Sequence, residues 1–251
     1  MYFPPVSTTF AAMNTTDILA IGVHPDDVEL SCAGTLAKHV SLGHSVGILD
    51  LTLGELGTRG SAELRTIEAS NSAIILGVTF RDQLTMADGF FANDERHVRL
   101  LIQKIRQYRP RIVLANAISD RHPDHGRASK LISDACFYSG LRRIETEIEG
   151  EMQEAWRPEV VYHYIQDRYI KPDFVVDVTA FVEKKFEAIK AFKSQFWDAN
   201  SQEPSTPISR PDFLNVVEAR MRVFGRDAGV EFAEGFTVER VPLVGDLFGL
   251  G

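Results

Sequence analysis

The stretch Ile18-Leu19-Ala20-Ile21-Gly22-Val23-His24-Pro25-Asp26-Asp27-Val28-Glu29 decides the reading of this chain. Its first half is an apolar run with the composition of a strand buried on both faces. Its second half gathers one imidazole and three carboxylates. Residues 28–42 read as a helix ended by Gly43, so the polar cluster falls where a strand stops and a helix starts. In open α/β sheets that place, outside the carboxyl ends of the strands, is where ligands bind. The helix dipole tolerates negative charge there. Adjacent Asp26 and Asp27 still repel each other, and a bound cation is the simplest compensation.

Outward from this stretch the first half of the chain alternates. Strands are expected at 17–23, 45–51, 78–83 and 111–116. Helices are expected at 28–42, 61–76, 94–108 and 126–139, with Ser61 as an N-cap, Gly77 as a C-terminal stop and Pro110 ending the third. A polar loop, 117–125, precedes the fourth helix. This order predicts an α/β fold: a Rossmann-like, mostly parallel sheet with helices on both faces. After Gly140 the pattern changes. Residues 145–154 are acidic and read as solvated, and 160–164 and 174–178 as strands. A long helix is expected at 181–197, a Ser/Pro-rich loop at 201–210 and a helix at 212–224. The Gly-broken aromatic end, 230–244, reads as a cap on the sheet. No linker isolates this half, so residues 13–251 are expected to form one domain, with 1–12 a loose extension and Met13 a candidate start.

Composition bounds the function. The chain has 251 residues, 44% hydrophobic and 25% charged, with a net charge of −8. That balance is ordinary for a soluble globular protein. The negative charge argues against a nucleic-acid groove or an anionic membrane surface as the main partner. No apolar run reaches the ~18–20 residues that span a bilayer, and the first dozen residues lack the basic start of a secretory signal. The two cysteines, Cys32 and Cys136, are far apart and read as reduced core residues. Together these features lead to the expectation of a cytoplasmic protein.

A second cluster, Arg121-His122-Pro123-Asp124-His125, follows the fourth strand. In a doubly wound sheet the first and fourth strands lie side by side, so both clusters would face one crevice. An Asp-Asp pair before a helix is often only a cap, and His-Pro-Asp is often only a turn. Two such clusters at the ends of neighbouring strands point to a site. Imidazole and carboxylate together suit Zn²⁺, and the set equally suits Fe²⁺ or another divalent metal. His24, Asp27 and His125 would supply three ligands, leaving Asp26 to accept a proton from water. His122, fixed as a cation by Asp124, would stabilise an oxyanion and protonate a leaving amine. Glu29 reads as supporting the helix rather than as a ligand.

Gly54, Gly57 and Gly60 make a loop read as mobile. It lacks the pattern of a phosphate loop, and no dinucleotide fingerprint follows the first strand. Arg65, just beyond it, is a candidate to bind substrate carboxylates or hydroxyls, as is Arg220 on the late helix. His39, His44, His97 and His163 read as ordinary structural histidines.

His24-Pro-Asp-Asp-Val-Glu29 with Arg121-His-Pro-Asp-His125 resembles the PIG-L/LmbE-like zinc-dependent deacetylases of N-acetylglucosamine derivatives, over nearly the whole chain from about Asp17. Gly57-Thr-Arg-Gly60, Glu63-Leu-Arg65, Ser194-Gln-Phe196, Thr206-Pro-Ile208 and Glu234-Gly-Phe236 look like the bacillithiol-biosynthesis branch. The resemblance implies a metal on His24, Asp27 and His125, and Asp26 as general base. It implies His122 backed by Asp124 as acid or oxyanion partner, and Arg65 facing the substrate. The implied substrate is an amino sugar, N-acetylglucosaminyl malate in that branch, and the implied assembly is a homo-oligomer, often a hexamer. Some relatives bring a late-loop Tyr near the oxyanion; the comparable residues here, 209–213, contain none. Two other readings stand beside the deacetylase: an amidase of thiol conjugates, sharing every motif, and a non-catalytic carbohydrate-binding module that takes no stoichiometric metal.

Overall fold

The computed structural model describes residues 16–246, so the expected extension 1–12 and the candidate start Met13 lie outside the described residues. In chain order the elements are β1 (Ile18–Gly22), α1 (Asp27–Ser41), β2 (Val46–Asp50), α2 (Ala62–Leu76), β3 (Phe80–Gln83), α3 (Glu95–Tyr108), β4 (Ile112–Ala115) and α4 (Pro123–Ser139). Then come a hairpin, β5 (Glu147–Ile148) and β6 (Glu151–Met152), and β7 (Val160–Tyr164), β8 (Phe174–Asp177), α5 (Val182–Lys190), α6 (Phe213–Ala228) and β9 (Ala233–Val238). Seven strands form one sheet in the order β3-β2-β1-β4-β7-β9-β8. The first five pair in parallel; β9 runs antiparallel to both β7 and β8.

The continuous apolar run of β1 is explained by two-sided burial. Side chains alternate across a strand. Leu19 and Ile21 pack with Leu101, Ile105, Leu131 and Ile132 of α3 and α4. Ile18 and Ala20 pack with Val28, Cys32 and Leu36 of α1 on the other face. A fully buried Leu or Ile contributes about 1.5–3 kcal/mol, so both faces stabilise the strand that carries the site. Parallel pairing brings the C-terminal loops of β1, β2, β3, β4 and β7 to one edge of the sheet.

Four expectations are corrected. Helix α4 begins at Pro123, three residues early, because Pro is pre-set for the first helical position; Asp124 and His125 therefore sit on its first turn, not in a loop. The acidic stretch is not merely solvated. It turns through Glu149 (φ 52°) and Gly150 (φ 84°) into a hairpin, two positive φ values that suit a tight strand connection. The helix expected to reach 197 ends at Lys190, where tertiary contacts take over from propensity. There Phe192 and Phe196 turn into a core cluster with Leu30 and Ala69, while Glu68 binds the Ser194 backbone and hydroxyl. The late segment expected as a cap contributes β9 to the sheet interior. Its pattern is disguised by Glu234, a buried carboxylate within the strand.

Candidate metal centre and active site

The turn from β1 to α1 is built tightly. At Gly22 a Cβ would lie 3.1 Å from Asp27 Cβ and 3.2 Å from Val28, so a larger residue would push on the first turn of the helix. Asp26 takes φ 128°, a region that non-glycine residues rarely occupy and that tends to mark functional turns. This aims Asp26 into the crevice and turns Asp27 inward. Asp27 Oδ2 accepts hydrogen bonds from the backbone N–H groups of Val23 and His24 and from the Asn116 side chain; Oδ1 accepts one from Gln166.

The two distant clusters meet. His125 Nε2 lies 3.2 Å from Asp27 Oδ1, and His24 Nδ1 lies 3.7 Å from Asp27 Oδ2. The ring centroids of His24 and His125 are 5.8 Å apart, and those of His24 and His122 are 4.8 Å apart. A tetrahedral site with bonds of ~2.0–2.1 Å has ligand–ligand edges of about 3.4 Å, close to the two distances that Asp27 makes here. Each imidazole is also held from behind by a carboxylate. His24 Nε2 lies 2.9 Å from Asp88 Oδ1, and His125 Nδ1 lies 2.6 Å from Asp120 Oδ2. Such outer carboxylates fix the ring and its tautomer, leaving His24 Nδ1 and His125 Nε2 facing Asp27.

The electrostatics agree. Burial alone would depress both histidines, but Asp27 and Asp88 raise His24 to about 9, and Asp27 and Asp120 raise His125 to about 10. Burial likewise opposes charge on Asp27, yet His125 and His24 hold it well below the usual carboxylate range. The pocket thus favours positive charge at the point between these groups, and a metal cation would displace the two protons. Two further groups offer nitrogen or oxygen atoms within 4.8 Å of one another: the three histidines His24, His122 and His125, and His24 with Asp88 and Asp124.

Asp26 is paired with Arg65, whose Nη2 lies 3.0 Å from Oδ2 and also donates to the Pro25 carbonyl. Arg65 is therefore buried at the site rather than exposed on its helix. The glycine loop makes that reach possible, and close approach rather than mobility explains its composition. A Cβ at Gly54 would fall 2.1 Å from Arg65 Nη1. The loop is itself braced by Arg59, which donates to the Ser194 carbonyl and the Ser201 hydroxyl. Burial pushes the Asp26 carboxyl up to about 6, with Arg65 opposing that rise and Asp27 adding to it.

His122 caps α4. Its Nδ1 accepts the Asp124 backbone N–H at 3.3 Å. Burial and the neighbouring His24 and His125 depress its pKa, so it stands neutral with Nε2–H free. The expected partnership with the Asp124 carboxylate is not formed: that carboxylate accepts from the Gly89 N–H and from Arg127. Arg220 does not line the crevice; its guanidinium binds the carbonyl and carboxylate of Asp167. The crevice is a cavity of about 310 Å³ walled by the residues above and by Leu30, Leu56, Thr58, Gln195 and the segment Thr206, Pro207 and Ile208. No Tyr is among its described lining residues.

Behind the site, α1 is interrupted at Cys32 (φ −135°). The groups freed by the break are taken by a buried ion pair. Glu234 accepts from the backbone N–H groups of Gly34 and Thr35, and Lys185 Nζ donates to the Leu30 carbonyl and to Glu234 at 2.6 Å. Glu29 points away from the crevice, to Ser72 and to Arg81, which also grips Asp50.

Residues 19–136 match the family model described as PIG-L: GlcNAc-PI de-N-acetylase. The chain is 30% identical over 190 residues to the diacetylchitobiose deacetylase of Thermococcus kodakarensis, covering 71% of this chain and 70% of that one. The chain belongs to the PIG-L family. A second PIG-L-type relative, the 1D-myo-inositol 2-acetamido-2-deoxy-alpha-D-glucopyranoside deacetylase of Thermomonospora curvata, is 30% identical over 246 residues, covering 73% of this chain and 82% of that one. The crystal structure of a conserved protein of Thermus thermophilus superposes with a TM-score of 0.81 at 36% identity, covering 92% of this chain and 97% of that one. Of the residues gathered here, the sequence reading missed Asp88, Asp120, Asn116 and Gln166, and it noted Gln195 only within the stretch 194–196, with no role. Asp88 and Asp120 carried a usable signal, since each is a carboxylate in a loop following a parallel strand. Asn116 and Gln166 carried none, because Asn and Gln in loops are common.

Proposed function

We propose that this chain removes the acetyl group from an N-acetylglucosamine-type amino sugar, using a divalent metal, zinc, on His24, Asp27 and His125. One observation carries the reading: two imidazoles and Asp27 converge, each imidazole is backed by its own carboxylate, and Asp26 stands beside them with one oxygen held by Arg65. The relatives named for acetamido sugars support the substrate class. When bound, the ion supplies Lewis acidity toward a water and the amide carbonyl.

The residues divide the remaining work. Arg65 holds Asp26 Oδ2, so Oδ1 faces the crevice and takes a proton from the attacking water. Neutral His122 donates Nε2–H to the carbonyl oxygen as it gains charge. The carbon–nitrogen bond then breaks, and the proton held by Asp26 passes to the leaving nitrogen, giving acetate and a free amine. Asp124 acts through the α4 turn and Arg127 rather than on the His122 ring.

The finer proposal is N-acetylglucosaminyl malate; Arg121 stands at the crevice rim paired with Asp167, and a substrate carboxylate would compete for its guanidinium. The reading takes 13–251 as one catalytic domain and the protein as a homo-oligomer. Leu64, Ile67 and Ile74, exposed on one side of α2, support assembly. No helix among the described residues is long and apolar enough to cross a membrane.

Acetate release from N-acetylglucosaminyl malate and diacetylchitobiose by zinc-loaded protein tests the reading. Wild type releases acetate, and Asp26→Asn is slower by at least ~10²-fold. Equal rates from the two proteins would remove Asp26 as the base. Cleavage of a mycothiol-type conjugate without acetate release would transfer the site to amidase chemistry. Purified protein that takes up no zinc, iron or cobalt would favour the binding-module reading.

A further inference from the structure

Gln195 lines the crevice and is 5% exposed. Its carboxamide cannot turn over. Nε2 donates to the Arg59 carbonyl at 2.9 Å and to the Ser194 hydroxyl at 2.8 Å. A carbonyl only accepts. Ser194 Oγ must give its own hydrogen to the Glu68 carboxylate, 2.7 Å away, so toward Gln195 it too can only accept. Both amide hydrogens are therefore spent, and both partners forbid the flipped orientation. Oε1 accepts nothing from any described residue. Nor is it among the enclosed side-chain atoms left without a partner, so it is not sealed in, and the open space that Gln195 lines is the crevice.

We infer that Gln195 is a specificity-determining residue whose Oε1 is a fixed acceptor for one hydroxyl of the sugar. This rests on the amino-sugar reading of the crevice. The arrangement is one-directional: it rewards a substrate O–H and gives nothing to a group that can only accept. The brace explains how Ser194-Gln195-Phe196, remote in sequence from both metal clusters, joins the site. Glu68, Ser194 and Arg59 position Gln195, and Gln195 touches the substrate.

The test uses methyl glucosaminide, the non-hydrolysable amine form, with its 3-, 4- and 6-deoxy and matching deoxyfluoro analogues. Binding to the zinc-loaded full chain is measured by calorimetry. Fluorine accepts but does not donate, so one deoxy and its fluoro counterpart should both bind about 5- to 30-fold more weakly to wild type. In Gln195→Met that difference should disappear, while the other positions keep theirs. A Gln195→Met variant of native circular dichroism that discriminates the analogues as wild type does would overturn the inference. So would wild-type binding in which no single hydroxyl matters by more than about twofold, a result that needs no variant to fold. Acetate release from the N-acetyl parent, run in parallel, separates the two readings. Release with no Gln195 effect overturns this inference alone; no release and no glucosaminide binding overturns the amino-sugar reading and this inference with it.

Discussion

Replacing Lys185 by Met strands Glu234 inside the protein. Both side chains are 1% exposed and 2.6 Å apart, and together they satisfy three backbone groups freed by the break in α1. Removing one partner of a buried pair costs about 3–5 kcal/mol, because the other charge stays desolvated. The Gly34 and Thr35 N–H bonds to Glu234 survive the change, so the cost comes from the lost ammonium and the unpartnered Leu30 carbonyl. In a protein of this size ~3–5 kcal/mol corresponds to a Tm lower by roughly 6–20 °C. Adding Glu234→Gln removes the stranded charge and keeps an acceptor for one of the two N–H groups, so the double variant should be more stable than Lys185→Met. Urea unfolding of wild type, both single variants and the double variant gives the coupling, expected at about 2 kcal/mol or more and insensitive to salt. Single-variant effects that add to within ~0.5 kcal/mol would show that the two groups do not act as a pair, and the account of the α1 break would be wrong.

Three further outcomes follow from the site. Asp120→Asn keeps the shape beside His125 but weakens its hold on Nδ1, so zinc affinity measured against a chromophoric chelator should fall about 10- to 100-fold; unchanged affinity would make Asp120 irrelevant to the metal. A general base works only when deprotonated, so kcat/KM should rise with pH as Asp26 ionises, and Arg65→Met should move that limb to higher pH because the guanidinium opposes the upward push of burial. A limb that stays in place would detach either the limb from Asp26 or Arg65 from its control. Gly22→Ala places a methyl 3.1 Å from Asp27 Cβ, which must give by a few tenths of an ångström; zinc uptake should drop more than global stability, and a fully metallated, active variant would contradict the tight turn.

Local pattern was enough for much of this protein. The apolar run of β1, the Ser61 and Gly77 helix ends, and the alternation of strands and helices each depend on residues close in sequence. They give an α/β sheet with β1 beside β4, and hence the meeting of His24 and Asp27 with His125. Tertiary structure decided what those residues touch. Arg65 reads as a partner for substrate carboxylates or hydroxyls, but the glycine loop lets its guanidinium reach Asp26. Asp124 reads as the partner of His122 until Pro123 starts α4 early and turns that carboxylate to Gly89 and Arg127. Glu234 breaks the strand pattern of β9 because a charge within the strand is tolerable only with Lys185 and two freed amides around it, and those come from elements far away in the chain. Periodicity reports which face is buried; it carries no information about which buried polar groups satisfy one another, because hydrogen bonds and charge pairs are settled only when distant segments come within about 3 Å.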